Sequence, residues 1–380
     1  MTLIGSPTGP TNSASPGTAG FLPSSERPKA NAILVVRYRF IGDTILTVPF
    51  LRNLRRAYPH ARIDVLVGPQ SGEVLAGCPY INELITYDTT RFHKYDSGEG
   101  QARSFWSYVQ ELKRRQYDTA FLLKRSFSSA ALALLIGCKN RIGYGSAWRS
   151  FMMTKSVAWD PSIHEVESTL DVLREAKIEV TDTDLEAWIS AEEERAVRKI
   201  IPQLATNNKR KILFHAAAAH PSKEYPLEHW ATVMKELAKK EQILPFFTGS
   251  SQDFLTYERL IGLAGMVGVN CAGKLSLRES MALLAAMDLS ICTDSGPSHL
   301  SAAVGTPTLA VFGPTDPERW RPWGSKHEAL FDSSLACRPC NYKMSCDNKR
   351  QCLTELSPHL IVKKALQMLS ADKNAAVAQL

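Results

Sequence analysis

Short runs of β-branched and apolar residues alternate with stretches of helical periodicity, and this alternation occurs twice along the 380-residue chain. The first series begins with an apolar run at residues 32–38 and continues to residue 136. After a charged helical stretch near residues 191–201, a second series extends from residue 211 to residue 312. Strands that alternate with helices are typical of parallel, doubly wound sheets. The pattern predicts an α/β protein with two such domains, and the length is sufficient for two cores.

We place the first domain at residues 31–190, the second at 191–356, and a terminal helical segment at 357–370. Residues 1–30 are rich in Ser, Thr, Pro and Gly, so we expect a disordered tail that cannot bury enough apolar surface to fold. The tail lacks the basic start and apolar stretch of a secretory signal. No run of 18 apolar residues is present to span a membrane. We therefore expect a cytoplasmic protein.

The formal net charge of +7 suits an anionic ligand or a membrane surface and does not indicate nucleic acid. One segment near Asp43 is unusually basic. Its arginines are Arg37, Arg39, Arg52, Arg55, Arg56 and Arg62. A solvated helix face explains this pattern, and so does a basic surface for a phosphorylated or membrane-bound substrate. The sequence leaves both interpretations open.

The segment from Thr293 to His299 lies between a predicted strand and a predicted helix. Ser295 is placed to cap the helix, and Gly296 lets a ligand approach the backbone. The exposed N–H groups and positive dipole at such a helix start suit a diphosphate. Asp294 suits sugar hydroxyls, and His299 lies one turn into the helix. An ordinary capped turn with a structural histidine explains the same residues.

Two further residues are candidates for chemistry. Asp43 follows the first predicted strand and is either a helix cap or a general base that removes a proton from an acceptor hydroxyl. Lys223 lies on a loop after the strand that ends at His215, where it is either an exposed surface lysine or a cation that neutralises a leaving phosphate. The segment Gly268 to Lys274 resembles a P-loop but is followed by Leu275, so it does not indicate an ATPase.

The eight cysteines fall into two groups. Four occur singly in apolar surroundings and are predicted core residues; they are Cys78, Cys138, Cys271 and Cys292. The other four are clustered with a C-x2-C-x5-C-x5-C spacing; they are Cys337, Cys340, Cys346 and Cys352. A structural zinc or iron–sulfur site is one interpretation of the cluster, and reduced or reversibly oxidised thiols are the other.

Several motifs together resemble one family, the ADP-heptose:lipopolysaccharide heptosyltransferases of glycosyltransferase family 9. The similar segments are Arg37 to Asp43, Phe214 to Ala216, Lys223 to Trp230, Gly273 to Leu277, Thr293 to His299 and Phe312 to Thr315. The resemblance implies a GT-B fold, in which two Rossmann-like doubly wound domains face a central cleft. It also implies that the N-terminal domain binds the acceptor, that the C-terminal domain binds the nucleotide sugar, and that the last helix crosses back to the N-terminal domain.

The resemblance further implies an inverting transferase without a catalytic metal. It would move a heptose or similar sugar from an ADP-sugar to a lipopolysaccharide core or related lipid-linked or phosphorylated glycan. Asp43 would be the catalytic base. Arg37 and Arg39, in the basic segment beside Asp43, are candidate acceptor contacts. The donor contacts would be Lys223, Asp294, Ser295, Gly296 and His299. The protein would act at the inner face of the cytoplasmic membrane, in peripheral contact with it.

One departure leaves the donor open. Many members have threonine or serine after the His-Ala strand end, whereas this chain has Ala217, Ala218 and Ala219. A family member that uses another nucleotide sugar and acceptor is therefore an alternative. A non-catalytic nucleotide-sugar-binding protein is a second, and a protein whose function resides in its cysteine cluster is a third.

Overall fold

The computed structural model describes residues 27–37, 40–88, 103–146, 148–206, 208–341, 346 and 349–377, without the side chains of 206 and 372–377. These residues form two compact units that divide between Leu185 and Glu186. Residues 1–26 of the predicted disordered tail lie outside the described ranges. Residues 27–30 have no helix or strand, and the Pro28 carbonyl accepts a hydrogen bond of 2.7 Å from the Tyr58 hydroxyl.

The first unit contains a parallel sheet in which the described residues form six strands, in the order β3-β2-β1-β4-β5-β6. Residues Ile33 to Val36 of β1 are fully buried between the two helical layers. Such central strands are apolar on both faces because both faces are covered. The strands are β1 (Ala32–Val36), β2 (Arg62–Val67), β3 (Glu83–Thr86), β4 (Thr119–Leu122), β5 (Asn140–Tyr144) and β6 (Lys155–Val157).

The helices of this unit are α1 (Ile41–Ile45), α2 (Val48–Ala57), α3 (Pro69–Gly72), α4 (Phe105–Arg114), α5 (Phe127–Leu135) and α6 (Glu165–Glu175). Residues 43–58 read as one helix in the sequence, with Pro49 as the cause of a kink or late start. The structure has a break there, and Pro49 occupies the first turn of α2, where its missing N–H is tolerated. Phe50 of α2 packs edge-to-face on Phe121 of β4, with 5.5 Å between ring centroids.

The second unit repeats the same architecture, with a parallel sheet in the order β12-β11-β10-β7-β8-β9 among the described residues. Its strands are β7 (Arg210–His215), β8 (Ile243–Phe247), β9 (Val269–Asn270), β10 (Leu289–Thr293), β11 (Thr308–Val311) and β12 (Glu328–Leu330). Counted within each unit, both sheets have the strand order 3-2-1-4-5-6. The α/β class and the two doubly wound sheets are confirmed.

The helices of the second unit surround a core that includes the buried rings of Phe214, Trp230 and Phe247. They are α7 (Ala191–Ile200), α8 (Gln203–Thr206), α9 (Leu227–Ala238), α10 (Phe254–Ala264), α11 (Leu277–Ala285), α12 (Gly296–Ala303), α13 (Pro317–Trp320), α14 (Gln351–Thr354) and α15 (Pro358–Val377). Among the described residues, no helix has the length and apolar character needed to cross a membrane.

The division between the units lies five residues before the sequence-based boundary at 190/191. Arg278 of α11 bonds the Trp188 carbonyl and pairs with Glu193 of α7, with 2.7 Å between Nε and Oε1. These contacts attach the segment before α7 to the second unit. At the other end of that unit, α15 packs against α9, and Ile361, Ala365 and Leu369 belong to the same core. The crossing of this helix to the N-terminal domain stays a prediction.

Candidate active site

Lys223, Asp294 and Thr315 form a polar network in the second unit, although they come from three separate loops. The Lys223 Nζ lies 2.7 Å from Oδ2 of Asp294, and the Thr315 hydroxyl donates a hydrogen bond to the same oxygen. Asp294 is only 4% exposed, whereas 17% of the Lys223 side chain is exposed. The network therefore holds a lysine charge at the surface of the unit, matched by a buried carboxylate.

The topology explains why these three loops meet. Lys223 follows β7, Asp294 follows β10 and Thr315 follows β11, and these strands are neighbours in the parallel order β11-β10-β7. The carboxyl ends of parallel strands lie at one edge of the sheet, which is where such folds bind ligands. The predicted residues Lys223 and Asp294 are thus brought together, and Thr315 is a site residue that the sequence reasoning missed. The position of Thr315 after β11, at the edge of the sheet where such folds bind ligands, could have identified it as a site residue.

The helix α12 begins directly beside this network. Ser295 occupies the N-cap position, as predicted, but its hydroxyl donates to the Thr293 carbonyl at 3.2 Å and makes no capping bond. The Thr293 hydroxyl donates to the Ala217 carbonyl at 2.7 Å, which joins this turn to the loop after β7. Gly296 is the first residue of α12, so the positive end of the helix dipole lies next to Lys223 and Asp294. This end of the sheet is suited to an anionic group.

The two histidines of the motifs are buried in the second unit. His299, one turn into α12, is 5% exposed. Nδ1 of His215, the last residue of β7, lies 2.8 Å from the Thr248 carbonyl, and burial lowers the pKa of this imidazole. After His215, exposure rises from Ala216, which is buried, to Ala219, which is exposed. The first four residues after β7, the alanines at 216–219, thus present small side chains without hydroxyl groups.

Asp43 lies in the first turn of α1, beside the carboxyl end of β1 in the first unit. Its side chain is 28% exposed, and Oδ1 lies 3.8 Å from Nη2 of Arg37. The Asp43 carbonyl accepts hydrogen bonds from Arg37 Nε at 3.2 Å and from the Thr47 hydroxyl at 2.9 Å. The Asp43 carboxylate and the Arg37 guanidinium therefore lie side by side at the carboxyl end of β1.

Arg37 is buried, with 6% of the residue exposed, and its guanidinium is used within the first unit. Nη2 donates to Glu165 Oε1 at 2.6 Å, and Nη1 donates to the Leu123 carbonyl at 2.7 Å. Burial opposes the charge, but the carboxylates of Asp43 and Glu165 outweigh it and raise the pKa of Arg37. The geometry therefore makes Arg37 a support for Asp43. Acceptor binding by Arg37 stays a prediction, and Arg39 lies outside the described residues.

The other arginines near Asp43 also have partners in the first unit. Arg52 Nη1 lies 2.5 Å from Asp182 Oδ1, and Arg55 Nη2 donates to Asn82 Oδ1 at 2.6 Å. Arg56 pairs with Asp182 at 3.2 Å, and Arg62 pairs with Asp64 at 3.2 Å. Most of these arginines therefore make intramolecular contacts. This agrees better with the interpretation as a helix face than with the interpretation as an open basic surface.

The four clustered cysteines line one cavity of about 330 Å³ in the second unit, beside the loop that carries Lys223. All four are free thiols, and Cys352 is buried while Cys337 and Cys346 are exposed. Burial raises the pKa of Cys352. Among the described residues, no group of three or more His, Cys, Asp or Glu side chains is arranged to hold a metal ion. The four cysteines predicted to lie in the core, by contrast, are all buried.

Two arginines connect the cysteine segment, residues 337–352, to both sides of the Lys223 network. Arg350 Nη1 donates to the Pro221 carbonyl at 2.7 Å and lies 3.4 Å from the Glu224 carbonyl, so it holds the backbone on either side of Lys223. Arg338 donates to the Gly313 carbonyl and, from Nη2, to the Thr315 carbonyl at 3.2 Å. Sequence reasoning missed both arginines because it considered only the cysteines of this segment.

Comparisons with known proteins give the class of the chain. A family model for glycosyltransferase family 9 (heptosyltransferase) matches residues 105–350. Lipopolysaccharide heptosyltransferase 3 of Escherichia coli K12 is 25% identical over 350 residues, which cover 89% of this chain and 99% of that protein.

Solved structures share the fold of the chain. A glycosyl transferase family 9 protein from Veillonella parvula DSM 2008 matches with a TM-score of 0.78 and 24% identity, covering 90% of this chain and 98% of that one. The Escherichia coli heptosyltransferase WaaC with ADP-2-deoxy-2-fluoro heptose matches with a TM-score of 0.63 and 21% identity, covering 82% and 98%.

With two doubly wound sheets and these relatives, the chain is a glycosyltransferase. It belongs to glycosyltransferase family 9, the heptosyltransferase family. The matched span includes Lys223, Asp294, Thr315 and residues 337–350 of the cysteine segment, whereas Asp43 precedes it.

Proposed function

We propose that this protein transfers a heptose or similar sugar from an ADP-sugar to a lipopolysaccharide core or related glycan, with inversion at the anomeric carbon. The observation that carries the proposal is the Lys223–Asp294–Thr315 network at the start of α12. A lysine charge beside a helix N-terminus suits the diphosphate of a nucleotide sugar. The relatives named for lipopolysaccharide and the related structure with an ADP-heptose analogue support the choice of acceptor and donor.

In the proposed reaction, Asp43 accepts the proton of an acceptor hydroxyl as that oxygen attacks the anomeric carbon from the face opposite the nucleotide. A carbon–oxygen bond to the acceptor forms, and the bond from the anomeric carbon to the diphosphate oxygen breaks. Lys223 and the positive end of α12 stabilise the negative charge that develops on the leaving nucleotide. Asp294, Ser295, Gly296 and His299 complete the donor site, and the acceptor contacts include Arg37 and Arg39.

The test combines purified protein with ADP-heptose, or with UDP- and GDP-sugars, and a lipopolysaccharide core oligosaccharide. Mass spectrometry detects the product, and NMR gives its anomeric configuration. The proposal requires transfer from the ADP-sugar with inversion. Transfer from a UDP- or GDP-sugar alone would instead support a family member with a different donor. Donor binding without any transfer would support a non-catalytic nucleotide-sugar-binding protein.

The cellular location and the metal content are parts of the same proposal. The reaction takes place in the cytoplasm, at the inner face of the cytoplasmic membrane, in peripheral contact with it. The four cysteines of the cysteine segment would be the ligands of a structural zinc ion or iron–sulfur cluster, and reduced or reversibly oxidised thiols are the alternative. As they stand, the described residues hold no group of three or more metal-ligating side chains. Metal analysis of the purified protein tests this, with the Cys337→Ser, Cys340→Ser double variant as the control. Stoichiometric metal in the wild type and its loss from the variant are expected.

A further inference from the structure

Large apolar side chains are exposed on one part of the first unit. Among the described residues, every exposed Phe or Trp side chain lies in this unit. The two most exposed are Trp148 at 82% and Phe151 at 75%, and Phe127 at the start of α5 is 59% exposed. Aromatic rings of this size contribute strongly to binding when they become buried. Several of them together mark a surface that meets a partner.

The helix α5 has an apolar face on its outer side. Phe127, Leu134 and Leu135 are exposed and stand seven and eight positions apart, and Ala131 lies between them at the fourth position. Residues at this spacing share one face of a helix. The other side of α5 is buried in the core of the unit through residues that include Leu132 and Ala133. The outer face is therefore apolar although the helix has a separate core-facing side.

The segment with Trp148 and Phe151 packs next to α5. The short 3-10 helix Ser150–Met152 contacts α5, and Met152 is buried in the same core. Arg149 Nη1 donates to the Lys124 carbonyl at 2.8 Å, which fixes this segment beside the start of α5. We call the resulting surface the α5 patch. It consists of Phe127, Leu134, Leu135, Trp148 and Phe151.

The stretch of sequence that carries the α5 patch contains basic residues and no acidic ones. Residues 119–159 contain no Asp or Glu, and their six basic residues are Lys124, Arg125, Lys139, Arg141, Arg149 and Lys155. Arg125 and Lys139, at the two ends of α5, are exposed. A second copy of this chain would bring the same positive charge against itself. An anionic surface that also accepts aromatic rings satisfies both features of the patch.

We propose that the α5 patch docks on an anionic lipid bilayer, with the Trp148 and Phe151 rings in the headgroup region. Tryptophan and other aromatic rings favour this region because one end of it is apolar and the other is wet. The basic residues at the ends of α5 add electrostatic attraction, about fivefold in affinity for each residue near the surface. The inference rests on the proposed function for its biological setting, since it names the surface that brings the enzyme to a lipid-linked acceptor.

This assignment moves the membrane contact away from the arginines near Asp43. Those arginines already pair with carboxylates and carbonyls of their own unit, as Arg52 does with Asp182. The α5 patch combines exposed apolar area with two exposed basic residues, Arg125 and Lys139.

The test measures co-sedimentation of the full chain with vesicles of phosphatidylglycerol and phosphatidylethanolamine, and with neutral phosphatidylcholine vesicles. The wild type is expected to bind the anionic vesicles and to be released by salt. The Trp148→Ser, Phe151→Ser variant and the Arg125→Glu, Lys139→Glu variant are each expected to bind at least tenfold more weakly. The matched control is Leu255→Ser, Val267→Ser, which removes two exposed apolar residues of the second unit, 77% and 84% exposed.

Equal binding by the wild type and both patch variants would overturn the proposal, and so would absence of wild-type binding at low salt. A patch variant that loses self-association instead of vesicle binding would assign the surface to a second copy and would also overturn it. Thermal unfolding confirms that each variant is folded. Vesicle binding needs no donor, so binding by a protein without transferase activity would refute the proposed function and leave the docking surface intact. Transfer to a water-soluble acceptor is expected to be unchanged in both patch variants.

Discussion

The Lys223 ammonium and the Asp294 carboxylate are paired at 2.7 Å at the carboxyl ends of two neighbouring strands. Because Asp294 is 4% exposed, its negative charge depends on Lys223 and on the Thr315 hydroxyl for compensation. The same lysine is proposed to meet the diphosphate of the donor. Lys223 therefore has two roles, to compensate the buried Asp294 carboxylate and to bind the donor diphosphate. Measurements of stability and of donor binding can separate the two roles.

The first prediction concerns stability. Lys223→Met is expected to lower the free energy of unfolding by about 1–3 kcal/mol, because it leaves a buried carboxylate without its cation and the site is partly open to solvent. Adding Asp294→Asn removes the uncompensated charge and should recover part of the loss. Urea unfolding of the wild type, both single variants and the double variant measures this coupling. Effects that add within about 0.5 kcal/mol would contradict it.

The second prediction concerns the base. Asp43→Asn keeps the size of the side chain but removes its ability to accept a proton, so the rate of transfer is expected to fall by about 10²–10⁴. Donor affinity, measured by calorimetry with the ADP-sugar, should change less than about twofold, because the proposal assigns donor contacts to the second unit. Asp160→Asn, at an exposed carboxylate of the first unit, is the control. Turnover that survives in Asp43→Asn would exclude Asp43 as the base.

The third prediction makes Arg350 a positioning residue for Lys223. Arg350→Ala removes the hydrogen bonds to the Pro221 and Glu224 carbonyls, which lie on either side of Lys223. The value of kcat/KM for the donor is therefore expected to fall about tenfold. Arg350→Lys can still donate to the Pro221 carbonyl and should recover part of the lost kcat/KM. Arg259→Ala, at an exposed pair with Glu228, is the matched control. A loss of stability with unchanged donor kinetics would assign Arg350 a structural role alone.

The fourth prediction concerns acid sensitivity. Burial, and secondarily Lys326, lowers the pKa of His327 from the ordinary 6.5 to about 4. Between pH 6.5 and pH 4, His327 is protonated in the unfolded chain but stays neutral in the folded chain. The free energy of unfolding therefore falls as the pH falls through this window. The contribution is about 1–3 kcal/mol. Burial lowers the pKa of His215 in the same direction.

His327→Gln removes the titrating group and should flatten the fall in stability between pH 6.5 and pH 4. The exposed His60, changed to Gln, serves as the control. The measurement is the urea midpoint at a series of pH values. An unchanged pH dependence in His327→Gln would refute the assignment.

The sheets were predictable because apolar runs and helical stretches alternate locally in the sequence. The break between α1 and α2 also follows from a local cause, the proline at position 49. The detailed turn before α12 was less predictable. Ser295 has the right type and position for a cap, yet its hydroxyl donates to the Thr293 carbonyl and accepts no capping bond from α12.

The pairings between polar side chains could not be predicted from the sequence, because the partners are far apart along the chain. Lys223 and Asp294 are 71 positions apart, and Arg37 and Glu165 are 128 apart. Both pairs join loops or helix ends that only the strand order brings together. The arginines near Asp43 show the same limit, because composition gives their charge but not the carboxylates and carbonyls that they contact.

All the strand pairs described in the two sheets are parallel. A parallel pair cannot be closed by a hairpin, so each connection must cross over the sheet before its strand gains a partner. Chains with such non-local pairing fold slowly and expose apolar segments for longer. Until β4 and β5 pair with their neighbouring strands during folding, the apolar helix α5 is exposed on its core side as well as its outer side. Refolding from denaturant should therefore have a lower yield at higher protein concentration, and a lower expression temperature should favour folded protein.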